Sequence, residues 1–185
     1  DTACYRNKSQ YPISPNGMVG FYRARSHEVV PVERCLIQRP EADAAAQAVR
    51  QYIRRFRVPC YDEKTGKGLL RHLYVRTNGA GESLICLLGC GDRAPHEPEL
   101  TALLREAVPK AVGIVWGTNR KKGNTILGES YRTLWGQDTL SDTLCGLTFR
   151  LSVPSFYQVN RAQAEVLYRK AVAFAALTGE ETVLD

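Results

Sequence analysis

The chain has 185 residues, 44% of them hydrophobic, enough for one well-formed core or for one domain plus part of a second. Its 25 basic and 19 acidic residues leave a formal charge of +6, carried mostly by arginine, whose flat guanidinium binds phosphate bidentately or stacks on a base. That composition excludes an intrinsically disordered chain and makes nucleic acid a candidate partner, with an ordinary basic protein as the alternative.

No signal-peptide order opens the sequence, and no apolar run approaches the ~18 residues that span a bilayer, so no membrane role and a cytoplasmic protein are expected. Tyr11-Pro12-Ile13, Met18 to Ala24 and Glu28 to Val32 read as three short strands in a meander, turned at Pro15-Asn16-Gly17. Pro40 then starts a helix in which Ala48, Val49, Tyr52, Ile53 and Phe56 share one face while Arg50, Arg54 and Arg57 gather on the other. Leu69 to Arg76 and Ser83 to Leu88 form a hairpin around the Asn78-Gly79 turn signal.

Leu100, Leu103, Leu104, Ala107 and Val108 mark a second helix, begun near Pro98 and stopped by Pro109. Val112 to Trp116 and Thr125 to Trp135 form another strand pair. It flanks a turn, Asn119 to Asn124, with three consecutive cations, Arg120, Lys121 and Lys122, suited to phosphate or simply to solvent. Gly146 to Val153 alternates as a last strand. The expected fold is therefore α+β, a largely antiparallel sheet backed by two helices.

Six cysteines are scattered through strand-like surroundings, without a CxxC pair, as in reduced proteins. Cys86 and Cys90 would lie ~13 Å apart in a continuous strand, too far to share a metal, and read as core residues. His27, His72 and His96 have no ligand-like spacing.

Ser155-Phe156-Tyr157-Gln158-Val159-Asn160 precedes a helix from about Arg161 to Leu177, with Asn160 as N-cap and Gln163 placed for a capping box. Gln158 could bond the amino acid end of a ligand, and Phe156 or Tyr157 could stack on an unpaired base. A hydrophobic staple with a cap explains the same residues. Beyond the helix, Glu181-Thr182-Val183-Leu184-Asp185 reads as a buried first strand of a nucleotide-binding domain or as an edge strand.

Tyr5-Arg6-Asn7-Lys8 with Gln10-Tyr11-Pro12, Cys35-Leu36-Ile37-Gln38, Asn124-Thr125-Ile126-Leu127-Gly128, Ser155 to Asn160 and Val183-Leu184-Asp185 resemble, in order, the motifs of the RNA uracil-5-methyltransferases. These enzymes use S-adenosylmethionine to form 5-methyluridine in 23S ribosomal RNA or tRNA. Cys35 favours the ribosomal RNA branch, in which it matches the fourth cysteine of a [4Fe-4S] cluster. The other three are missing and Cys4 matches none of them, so the resemblance implies that this chain alone holds no cluster.

On the same resemblance, residues 1–153 are a central RNA-binding domain, and 154–185 open a Rossmann-like methyltransferase domain with its first helix and strand. Gln158 and Asp185 would bind the cofactor. The catalytic cysteine and base would lie beyond Asp185, so no catalytic residue falls here and the chain alone is expected to be inactive. Arg6, Lys8, Arg50, Arg54, Arg57, Arg120, Lys121 and Lys122 are candidate phosphate contacts, and Phe156 a candidate base-stacking residue. The alternative is a stand-alone RNA-binding or interaction module.

Overall fold

The structure, a computed structural model, describes residues 2–122 and 125–184. A five-stranded sheet is built from β1 (Lys8–Pro12), β4 (Leu70–Thr77), β5 (Ser83–Gly89), β6 (Ala111–Thr118) and β7 (Ser130–Gly136), in the order β1-β4-β5-β6-β7. Two ribbons flank it, β2 (Gly20–Tyr22) with β3 (Val29–Pro31) and β8 (Thr139–Leu144) with β9 (Leu147–Ser152). The helices are α1 (Pro40–Phe56), α2 (Glu97–Ala107) and α3 (Arg161–Ala175). Neighbours in the main sheet are antiparallel except β5 and β6, which run parallel because α2 carries the chain across between them.

Every residue of β4 and β5 is buried, because both faces of the sheet are covered. Leu73, Val75, Ile85, Leu87, Ile114 and Trp116 face the apolar stripes of α1 and α2, meeting Ala45, Val49, Tyr52, Leu100 and Leu104. On the opposite face Tyr74, Leu84, Cys86, Leu88 and Val115 pack under Leu140 and Val153 of the β8–β9 region. The α1 stripe fits helix periodicity, Pro40 occupies its first turn, and Glu41 and Asp43 there complement the helix dipole. Asp43 is buried and accepts from Tyr11 Oη at 3.0 Å and from the Cys35 amide at 3.1 Å, which pins α1 to β1 and to the 35–38 loop.

The α+β reading and both sheet-backing helices agree with the structure, while five details differ. The first strand does not stay in a meander: Lys8–Pro12 pairs along its length with β4, leaving β2 and β3 as a separate ribbon. At the β4–β5 turn the left-handed residue is Gly81, not Gly79, because the Asn78 side chain organises the loop by accepting from the amides of Ala80 and Glu82. The strand expected to begin at Thr125 begins at Ser130, and β8 appears where none was expected. The burial of β8 alternates, with Leu140, Asp142 and Leu144 inward, but an aspartate at one inward position breaks the apolar pattern by which a strand is recognised. Residues 181–184 adopt no strand and find no ladder partner among the described residues, and an isolated extended segment has nothing to stabilise it.

His72 is 5% exposed in β4, and burial, reinforced by the Arg71 guanidinium, lowers its pKa to about 4. A histidine depressed in the folded state favours the native fold above its unfolded pKa of about 6.5 and loses that contribution as pH falls toward 4. The loss, on the order of 3 kcal/mol at most, should appear in urea unfolding free energies measured at pH 7.5 and pH 4.5. A His72→Phe variant should lose less stability over that interval; an equal loss would assign the acid sensitivity to other groups.

Candidate functional site

Three segments far apart in sequence converge at the end of the sheet where β1 begins. The 4–8 segment lies alongside the 35–38 loop, with Cys4 N donating to Leu36 O at 2.8 Å and Arg6 N to Ile37 O at 3.0 Å. Ser9 and Gln38 also bond through their side chains. Asn7 then reaches the 155–160 segment, its amide donating to Val159 O and its Nδ2 to Gln158 O, both at 2.9 Å. Arg76, 1% exposed, donates through one Nη to Ser155 O and to Tyr74 Oη, both at 2.6 Å. The loop before α3 is thus fastened at its start by Arg76 and at its end by Asn7.

The fastening uses the backbone of Gln158 and leaves its side-chain amide without a hydrogen bond among the described residues. Phe156 stands 82% exposed beside it, whereas Tyr157 turns inward against Leu144, Leu151 and Ala164. Of the two aromatics considered for stacking, only Phe156 offers a free face. Asn160 caps α3 by accepting from the Gln163 amide at 3.1 Å, which is one half of a capping box; a reciprocal bond from the Gln163 side chain is not seen among the described residues. Around this helix entrance Asn7, Arg39, Asn78, Asp142, Arg161 and Gln163 line a cleft of about 210 Å³.

Arg6 and Lys8 are half-buried at the same end, and Lys8 sits opposite Arg76 in the β1–β4 register. Burial, then the charges of Arg76 and Arg6, lowers the Lys8 pKa, so three cations share one corner. Arg76 was not singled out in the sequence, where an arginine in a strand-like run carries no signal that it will be buried.

The other basic residues are dispersed. Arg54 and Arg57 are exposed on α1, but Arg50 is not free for a phosphate contact of the kind expected: its guanidinium donates to Val19 O at 2.8 Å and to Val32 O, holding the β2–β3 ribbon. Arg120 pairs with Asp92 at 2.6 Å on the surface, and Lys121 and Lys122 are exposed. Arg71 supports this turn from below, donating to Asn119 O at 3.1 Å and Lys121 O at 2.7 Å. Asn124, the first residue of one motif, and Asp185, the second cofactor candidate, lie outside the described residues.

Cys35 is half-exposed in the 35–38 loop. No three or more His, Cys, Asp or Glu side chains among the described residues cluster as metal ligands, so the donor set present here does not fit a four-thiolate cluster. Burial pushes the Cys60 thiol up to about 11 and raises those of Cys86 and Cys90, leaving all three as poor nucleophiles at neutral pH. Among the described residues no helix is long and apolar enough to cross a membrane.

The α+β domain thus gathers an aromatic, an amide and a corner of cations at one helix entrance. Comparison with known proteins places the chain beside its relatives. No family model matches the chain. A protein of Listeria innocua described as an uncharacterized RNA methyltransferase is 42% identical over 98% of this chain and 41% of its own length. One of Clostridium acetobutylicum with the same description is 38% identical over the whole chain and 41% of its length. The chain is similar over nearly all of its length to these RNA methyltransferases and spans about two fifths of theirs. Its fold is shared by the crystal structure of Pyrococcus abyssi tRNA (uracil-54, C5)-methyltransferase in complex with S-adenosyl-L-homocysteine, with a TM-score of 0.78, 21% identity and coverage of 94% of this chain and 41% of that one.

Proposed function

We propose that the chain is the central part of an S-adenosylmethionine-dependent enzyme that methylates carbon 5 of uridine in 23S ribosomal RNA. Residues 1–153 hold RNA, and residues 154–185 open the methyltransferase domain, a Rossmann-like unit. The observation that carries this reading is the loop before α3, whose backbone is fixed by Asn7 and Arg76 while the Gln158 amide and the Phe156 ring remain unengaged. A free amide on a rigid loop suits the amino acid end of the cofactor, and a free ring suits an unstacked base. The exposed apolar side chains of α3, among them Leu167, Val172 and Phe174, suit a surface that further protein covers.

Within that enzyme S-adenosylmethionine supplies the methyl group. This chain's contribution is positional: Arg6, Lys8 and the Arg120–Lys122 turn neutralise phosphates, Phe156 stacks on a base, and Gln158 and Asp185 hold the cofactor. Arg54 and Arg57 extend the basic surface on α1. The reacting thiolate and the base that removes the carbon 5 proton come from residues beyond this chain, consistent with the raised thiol pKa values of its buried cysteines. A cluster held by Cys35 would need thiolates from outside it as well.

The test is methyl transfer from labelled cofactor to unmodified 23S ribosomal RNA, followed by nucleoside mass spectrometry. The 185-residue chain should give no product, and a protein of the relatives' length should give 5-methyluridine. Methylation of another base, or of tRNA alone, would overturn the substrate assignment. RNA binding without transfer by the longer protein would favour a module with no catalytic role.

A further inference from the structure

A cleft of about 620 Å³ opens well away from the Gln158 corner, at the other end of β4. His72, which lines it, lies four residues from Arg76 along one strand, a separation of ~13 Å, and on the same face of the sheet, opposite to Leu73 and Val75, which meet the helices. Half-buried Gln10 of the edge strand β1, opposite Tyr74, lies between the two, and half-buried Lys8 lies opposite Arg76.

The cleft sets aromatic rings beside three carboxylates, with the cations Lys64 and Arg71 also in its lining. Tyr22 and His27 stack with ring centroids 5.2 Å apart, and His27 Nδ1 lies 2.7 Å from Glu63. Tyr61 forms a second aromatic wall, covered by the Arg71 guanidinium 4.5 Å from its centroid. His72 Nδ1 is buried without a hydrogen-bond partner, and its lowered pKa keeps the ring neutral. Glu28 pairs with Arg23, Asp62 accepts from Lys64 N and Thr65 Oγ1, and Glu63 lies against His27; the lone pairs that remain disfavour phosphate inside the cleft and can accept from an exocyclic amino group. Arg71, which lines the cleft, also donates to the carbonyls of Asn119 and Lys121, so one side chain joins the cleft to the basic Arg120–Lys122 turn.

We propose that this cleft receives an unpaired nucleobase bearing an exocyclic amine, with the adjoining phosphate on the Arg120–Lys122 turn, as a second RNA contact remote from Phe156 and Gln158. The inference rests on the RNA-binding reading above. Aromatic rings select a base over other flat ligands of an RNA-binding surface, and the carboxylates favour adenine, guanine or cytosine over uracil. An RNA strand following β1 past Gln10 would join the two sites.

The experiment is fluorescence anisotropy of the 185-residue chain with fluorescein-labelled ten-nucleotide oligo(A), oligo(C) and oligo(U). Oligo(A) and oligo(C) should bind more tightly than oligo(U). A Tyr22→Ala/His27→Ala double variant should bind oligo(A) roughly tenfold more weakly with the salt dependence unchanged, whereas Lys121→Ala/Lys122→Ala should flatten the slope of log affinity against log salt by roughly 1.4. Tyr22→Leu keeps the apolar bulk at this surface position and should still lose preference for oligo(A), which separates stacking from folding. Wild-type affinity in the Tyr22 variants overturns the cleft proposal and leaves the RNA reading standing. Failure of the wild-type chain to bind any of the three overturns both.

Discussion

In a protein of the relatives' full length, Gln158→Ala is expected to weaken S-adenosylmethionine binding by roughly tenfold to a hundredfold, the loss that follows when a hydrogen bond to a charged ligand group is removed. The change should leave the fold intact, because the Gln158 side chain makes no hydrogen bond among the described residues and the loop is held through its carbonyl by Asn7. Isothermal titration with S-adenosylhomocysteine, alongside a thermal melt of the unliganded protein, separates the two effects. Unchanged affinity would remove the cofactor role from Gln158. A lowered melting temperature with proportionate loss of binding would show instead that the side chain supports the loop. Asn7→Ala provides the contrast, since it should weaken binding and stability together.

Trp116→Ala is expected to have the largest effect on the fold. Trp116 is 1% exposed in β6, packs between the sheet and the helices, and donates from its indole nitrogen to Gly91 O at 2.8 Å. A β-carbon on Gly89 would sit 2.5 Å from the Trp116 ring, so the glycine makes room for the indole and has no side chain with which to fill the gap. Truncation should cost about 3–5 kcal/mol, from lost apolar burial, the cavity left behind and the loss of one of the two donors to the Gly91 carbonyl, Thr118 Oγ1 at 3.3 Å remaining. For a chain of this size that corresponds to a fall in melting temperature of roughly 10 °C. A shift below about 3 °C would mean that neighbouring side chains refill the space.

Local signals in the sequence located the elements, and failed where a partner decides the outcome. The apolar stripe from Ala48 to Phe56 and the proline at its start defined α1 almost to the residue, because helix periodicity and first-turn chemistry are local. Lys8–Pro12 carries no sign that its partner is β4 rather than the nearby β2, since pairing depends on which edge is free once the sheet forms. Arg50 illustrates the same limit on a surface. Its spacing with Arg54 and Arg57 suggested a solvent-facing row, but the carbonyls it reaches belong to loops whose course helix spacing cannot reveal. At the candidate site, the exposure of Phe156 and the helix cap at Asn160 agree with the local pattern, whereas the supports supplied by Asn7 and Arg76 were not legible, because both are contacts between distant segments. Tyr157 resembled Phe156 in every local respect, and only packing against Leu144 and Leu151 separates them.

The bond from Asn7 to Gln158 spans 151 residues. Asn7 flanks a strand that finds its ladder only when β4 has formed, and it then waits for the penultimate part of the chain. Closing so large a loop is entropically slow, and contacts of such separation are among the last to be made during folding. During synthesis the sheet and its two covering helices can therefore mature well before the loop ahead of α3 is locked. A nascent chain would pass through a stage whose core is folded while that loop is still loose. Pulse-labelled hydrogen exchange should detect this order as late protection of the Asn7 and Ala164 amides relative to those of β5 and β6.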